Sequence, residues 1–190
     1  METIKGFVSK YHILSAASLK EFEGLFTEKS FKKNDVLYRH GETSSKLYIM
    51  IEGVARSVVI DKNGKERTRT LFKSPAIFSS LVSSMYDGPS VEFNCLTNAT
   101  VFEGNFSKFI ELTKKHHDIA ILYNKFLEEA FVYMQEKATI LSTLDATERY
   151  LHLKKQFPTI EKLIQLNHIA SYLSITSIQL SRIRKKVYSK

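Results

Sequence analysis

Apolar positions along the 190 residues change their spacing twice, and each change marks a different kind of element. Over residues 5–28, Phe7, Tyr11, Ile13, Leu14, Leu19, Phe22, Leu25 and Phe26 supply the apolar contacts of short helices. From Ser30 to Phe106 the pattern shortens to β-rich runs: FKKNDVLYR, KLYIMIEG, VARSVVID, KERTRTLFK, VEFNCLT and TVFEGN. Turn signals at His40-Gly41-Glu42 and Asp61-Lys62-Asn63-Gly64 separate them. Short, closely spaced strands without crossover helices predict a small barrel or jelly roll rather than a parallel sheet.

After Phe106 the period becomes helical, in a short segment over 106–115 and a long one from His117 to Leu141. In the long segment Ile119, Leu122, Phe126, Ala130, Met134, Ala138 and Leu141 recur at three- and four-residue steps, a stripe of roughly six turns. A stripe this long outruns a small barrel. It reads either as one core helix or as a helix that shares its apolar face between its own domain and a second copy, and we favour the second. Ile119, Leu122, Phe126, Ala130, Met134 and Leu141 are the candidate dimer-interface residues. A boundary follows over 142–145, where Asp145 and Glu148 have the spacing of a capping box. The helix it opens, Ala146 to Gln156, offers Tyr150, Leu151 and Leu153 for packing and stops at Phe157-Pro158.

The segment HIASYLSITSIQLSRIRKK, residues 168–186, has the spacing of a helix-turn-helix. Ala170 is the small residue where two helices approach, Ser174 sits in the tight turn, and Ile175, Leu180 and Ile183 lock the second helix onto the first. Thr176 and Gln179 form a second capping box, so the second helix starts near Ser177. Thr176, Ser177, Ile178, Gln179, Ser181, Arg182 and Lys185 are then the candidate DNA-binding residues, carried by the helix that enters a major groove in such units. Arg182, Arg184, Lys185 and Lys186 complement its C-terminal dipole and are placed to meet phosphates.

Charge strengthens this reading through its distribution. The net charge is +8, and residues 142–190 hold nine Lys/Arg against three Asp/Glu, leaving only +2 for everything before them. Positive charge gathered at one end is the footprint of nucleic-acid binding, where phosphate neutralisation supplies the sequence-independent affinity. No apolar run approaches the ~18 residues of a membrane span, and the N-terminus lacks a secretory signal, so a cytoplasmic location is expected. The single cysteine, Cys95, falls in a strand and reads as buried packing; it excludes a four-thiolate iron–sulfur cluster within one chain. The six histidines are scattered, with adjacent His116 and His117 on different helix faces. No metal site and no cofactor are expected.

Together, a tail reading ERY…P…IASYLxITxxxLSRIRKK and the order of strands, long helix and helix-turn-helix resemble the Crp/Fnr superfamily of transcription regulators. The likeness extends over nearly the whole chain, and Gly41-Glu42 and Ile51-Glu52-Gly53 match the family's glycine-marked corners. It implies an α+β architecture of N-terminal short helices and a jelly-roll-like β-roll, a long dimerisation helix, and an all-α winged-type helix-turn-helix domain. The corresponding divisions are 1–115, a cyclic-nucleotide-binding-like sensor, then 116–142, and 143–190. It further implies a homodimer that binds double-stranded DNA, with RNA polymerase as a partner and no membrane contact. Arg182 is the position expected to read a base.

The sequence departs from the family at the phosphate cassette. Counted back from TVFEGN, the Gly-Glu pair that holds the ribose falls on Phe78-Ser79 and the Arg-Ser pair that holds the cyclic phosphate on Pro89-Ser90. Without the Arg the charge-assisted bidentate contact is lost, so cAMP in the familiar manner is not expected. Ser79, Ser80 and Ser90 remain as hydrogen-bonding candidates for another small-molecule effector, or as turn formers. Two alternatives stay open: a ligand-sensing roll acting through protein partners, and a cupin-like enzyme, against which stands the single histidine, His40, of the strand region.

Overall fold

The computed structural model describes residues 3–39, 42, 46–60, 64–80 and 90–189. The turn residues His40, Gly41 and Asp61 to Asn63, and Pro89 of the cassette position, lie outside the described residues. Two short helices, α1 (Ile4–Val8) and α2 (Ala16–Glu23), open the chain, capped by Thr3 and Ser15. Among the described residues eight strands follow: β1 (Phe26–Phe31), β2 (Val36–Tyr38), β3 (Lys46–Glu52), β4 (Val54–Ile60), β5 (Glu66–Lys73), β6 (Ala76–Ser79), β7 (Ser90–Cys95) and β8 (Ala99–Asn105). They form two antiparallel sheets of order β1-β8-β3-β6 and β2-β7-β4-β5, the expected jelly-roll-like roll.

Helix α3 (Phe106–Lys115) and the long α4 (His117–Thr143) come next, then α5 (Ala146–Gln156), α6 (Ile160–Leu163), α7 (Leu166–Tyr172) and α8 (Ser177–Tyr188). The run FKKNDVLYR proves to be two strands and a turn. Asn34 adopts the left-handed conformation at φ 74°, its N–H donates to the Cys95 carbonyl, and the Asp35 carboxylate accepts from the Lys32 N–H. Strand β6, AIFS, is too short for its alternation to show in sequence. Gly53 is needed where β3 turns into β4: at φ 102° a Cβ there would lie 2.5 Å from the Asn98 carbonyl oxygen.

Three apolar cores explain why KLYIMIEG is continuously apolar rather than alternating. Leu47 and Ile49 point from β3 to the helical layer, where they meet Phe7, Phe22, Phe109, Ile119 and Leu122. Tyr48 and Met50 point the other way, into the roll, among Leu37, Phe78, Val91, Phe93 and Cys95. A strand covered on both faces has no polar side to display. The third core holds Tyr150, Leu153, Ile160, Ile169, Ala170, Leu173 and Leu180 of the terminal helices, joined by Val54, Leu71 and Leu96 of the roll. The terminal helices are therefore packed on the roll rather than separated from it. Leu151, expected to pack here, is 47% exposed, and Ile13 of the N-terminal stripe is 80% exposed. Residues 143–189 contain helices and turns and no strand, in keeping with an all-α terminal domain.

Candidate nucleic-acid interface

Helix α7 ends in a left-handed turn at Ser174, φ 57°, and the Ile175 N–H returns to the Ala170 carbonyl at 3.0 Å. This six-to-one bond is the Schellman ending, which satisfies a terminal carbonyl while reversing the chain. Ala170, 2% exposed, allows the close approach of α8, and Leu180, 1% exposed, plugs into the same core with Ile175 and Ile183 packed around it. The capping box is present: Thr176 Oγ1 accepts from the Gln179 N–H at 3.1 Å and Gln179 Oε1 accepts from the Thr176 N–H at 2.9 Å. Both side chains are thus engaged in starting the helix as well as lying exposed.

With Leu180 turned inward, Ser177, Ile178, Ser181, Arg182 and Lys185 face outward, all exposed. Arg182 also borders an open cleft shared with Asp145, Ala146 and Thr147 of the first turn of α5. The basic residues divide. Arg182, Lys185 and Lys186 are exposed, whereas Arg184 turns back to form a 2.6 Å ion pair with Glu161. Arg184 is therefore withdrawn from the phosphate-contacting set that the sequence suggested.

Glu161 organises the back of α8. It accepts from Tyr150 at 2.9 Å, Tyr188 at 2.6 Å and Lys154 at 2.8 Å, with 9% of its side chain exposed. Burial alone would raise its pKa; the bonds from Lys154, Tyr188 and Tyr150 and the charge of Arg184 outweigh it and hold the carboxyl down at about 2. The cluster ties α5, α6 and α8 together and fixes the outward face of α8 by anchoring the opposite one.

The long helix divides its stripe. Ile119, Leu122 and Phe126 are 0%, 0% and 8% exposed, packed in the core of the chain itself, so these three are not available for the dimer interface expected of them. The remaining candidates Ala130, Met134 and Leu141 are exposed, and with them Leu127 at 48%, Phe131 at 63% and Val132 at 62%. Leu127, Phe131, Met134, Ala138 and Leu141 follow a strict four-three-four-three spacing, the signal of a coiled-coil seam. It was readable in the sequence but masked by the denser stripe that begins at Ile119.

A third face of the same half-helix holds the terminal domain. Lys137 donates to the Arg69 carbonyl on β5 and lies 4.5 Å from the Tyr172 ring centroid; the Tyr133 and Tyr172 hydroxyls are 3.3 Å apart. Nearby the Thr68 N–H donates to Ser171 Oγ at 2.9 Å. Arg69 is the extra residue of a bulge in β5, which frees its carbonyl for Lys137. Burial, with the like charge of Arg69, lowers the Lys137 ammonium to about 8.

The interior of the roll is filled by aromatic side chains. Phe72 and Phe78 stack at 4.2 Å, with Tyr48 and Phe93 at 5.2 and 5.4 Å from Phe78. Phe78 thus places a core side chain where the cassette comparison puts a ribose-binding glycine. Ser80 is fully buried, and its hydroxyl accepts from the Lys46 N–H at 2.7 Å, closing the β3–β6 edge. Ser79 lies in β6 opposite Leu47, and Ser90 in β7 opposite Ile60. Among the described residues no cluster of His, Cys, Asp and Glu could hold a metal ion, and no helix is long and apolar enough to cross a membrane.

This arrangement has known counterparts. Residues 28–116 match the cyclic nucleotide-binding domain family. The fold is that of solved Crp/Fnr-type regulators. FixK2 from Bradyrhizobium japonicum superposes with a TM-score of 0.69 at 18% identity, covering 86% of this chain and 85% of that one. A CooA mutant from Carboxydothermus hydrogenoformans gives 0.70 at 15%, covering 100% and 86%. A Crp/Fnr-family regulator from Eubacterium rectale gives 0.70 at 14%, covering 92% and 85%. Among curated proteins none matches the chain by sequence. At these identities the likeness is one of fold: a cyclic nucleotide-binding-like roll, a long helix and a terminal group of helices.

Proposed function

We propose that the chain is a sequence-specific DNA-binding transcription regulator that acts as a homodimer, not an enzyme. The observation that carries this reading is α8: a helix opened by a capping box whose apolar side is locked into the terminal core while Ser177, Ile178, Ser181, Arg182 and Lys185 face solvent together. That surface has the size, polarity and charge of a major-groove reader. Thr176 and Gln179 hold its first turn, Arg182 reads a base, and Lys185 meets phosphate.

The dimer forms along Leu127, Phe131, Met134, Ala138 and Leu141, with Ala130 beside the seam. It sets two reading helices about 34 Å apart on a two-fold site. RNA polymerase is the partner and the cytoplasm the setting in which such a regulator works. The Phe72, Phe78 and Phe93 packing inside the roll, together with the absent Arg at the cassette position, supports control by an effector other than cAMP, or by abundance alone. Ser79, Ser80 and Ser90 are the residues such an effector would meet.

The test is affinity for duplex DNA enriched from a random pool, measured across a salt series. The wild type is expected to bind with strong salt dependence, and Arg182→Ala to weaken binding about 10- to 100-fold and relax specificity at one position. A wild type without DNA affinity at low salt sinks this reading.

A further inference from the structure

We infer that Ile178 is a specificity-determining residue, which selects its operator by the C5-methyl group of a thymine. The inference rests on the DNA-binding reading above and names what that surface recognises.

Ile178 is 67% exposed on the second residue of α8, while Leu180 of the same helix is 1% exposed and Ile183 is packed. Its neighbours on the outward face are Ser181 at i+3 and Arg182 at i+4, the positions that lie beside it one turn on. A large β-branched side chain is thus held out to solvent within a polar surface, in the first turn that the Thr176–Gln179 capping box closes. In the major groove each base pair shows donors and acceptors, and the thymine methyl is the one apolar feature. Ile178 is complementary to that group and to none of the others.

The rest of the helix narrows the recognition further. Residues 177–188 contain no Asp or Glu, so the carboxylate that pairs best with a cytosine amino group is absent from this helix. Gln179, the one side chain suited to bidentate adenine contact, has its Oε1 occupied by the Thr176 N–H at 2.9 Å and by the Thr176 hydroxyl at 3.1 Å. Arg182 supplies the fork for guanine, and Ser177 and Ser181 are short enough to let the helix approach. The half-site that matches this surface is a thymine read by Ile178 close to a guanine read by Arg182.

Replacing thymine with uracil removes the methyl group and leaves every hydrogen-bonding group in place. Full-length protein is titrated with its enriched site and with duplexes in which each thymine is replaced by uracil, one position of each half-site at a time. At one position uracil is expected to weaken binding about fourfold per half-site, the amount that burial of one methyl group supplies. Ile178→Ala, an exposed change to a better helix former, is expected to bind the thymine duplex more weakly by a similar factor and to lose the uracil penalty at that position. Arg182→Ala is expected to keep that penalty. Salt-sensitive binding with uracil tolerated everywhere, or a penalty that survives in Ile178→Ala, overturns the inference while leaving the DNA-binding reading intact. No salt-sensitive binding to any duplex removes both.

Discussion

The two halves of α4 are one helix with one kind of periodicity, yet they do opposite things with it. In the first half Ile119, Leu122 and Phe126 disappear into a core with Phe7, Phe109, Leu47 and Ile49. In the second, Leu127, Phe131, Met134 and Leu141 carry the same apolar character into solvent. Along the stripe the change falls between Phe126, buried, and Ala130, exposed one turn later. Phe7 and Tyr11 reach Phe126, at 6.4 and 4.9 Å between rings. An apolar stripe therefore reports that a face is to be buried, and says nothing about which surface buries it.

The largest expected effect tests the buried half. Leu122→Ala should cost about 2–5 kcal/mol in protomer stability, read from denaturant unfolding, because it opens a cavity in a fully enclosed site. The exposed half should behave in reverse. Phe131→Asp with Met134→Asp should turn the proposed dimer to monomer in sedimentation velocity and lower affinity for the enriched DNA site about a hundredfold, through loss of the proposed second half-site. Its monomer should unfold within about 1 kcal/mol of the wild type. If the double variant instead unfolds the protomer, the contrast between the halves is wrong.

Titration separates the halves more finely, with opposite signs. Asp118, at the head of α4, accepts from the Ser15 N–H at 2.9 Å and the Ser18 hydroxyl at 2.7 Å. Burial would raise its pKa, but these bonds and the Ile119 N–H lower it overall. Its stabilisation is present above the ordinary aspartate range and fades as pH falls through it. Lys137, in the second half, is held down at about 8, so the unfolded chain binds the extra proton between pH 8 and about 10.5. Stability should rise with pH across that window, by up to about 3 kcal/mol. Lys137→Met should flatten the rise and leave the acid limb, and Asp118→Asn should do the converse. The smallest effect concerns the third face: Tyr172→Phe, removing the contact with Tyr133, should cost about 0.5–1 kcal/mol and loosen the terminal helices in hydrogen exchange.

Much of the fold was legible because its signals are local. Helix α5 begins at Ala146 and α8 at Ser177 because Asp145 with Glu148, and Thr176 with Gln179, satisfy the first N–H groups of each helix within four residues. The outward set of α8 followed from spacing alone, since turning Leu180 and Ile183 inward leaves Ser177, Ile178, Ser181, Arg182 and Lys185 nowhere else to go. What failed to show was long-range. Arg184 carries the same charge as Arg182 two residues away, and only the position of Glu161 on another helix separates their roles. Phe72, Phe78 and Phe93 are unremarkable strand residues until two sheets bring their rings together.

The sequence by itself determined where the capped helices α5 and α8 begin and which face of α8 is apolar, since caps and helical periods act between residues close in the chain. Tertiary structure decided which surface covers each face: that Phe126 meets Phe7 while Phe131 meets water, and that Arg184 is anchored while Arg182 is exposed. The physical reason is that burial and ion pairing depend on proximity between residues far apart in the chain, and that proximity exists only once sheets and helices have packed.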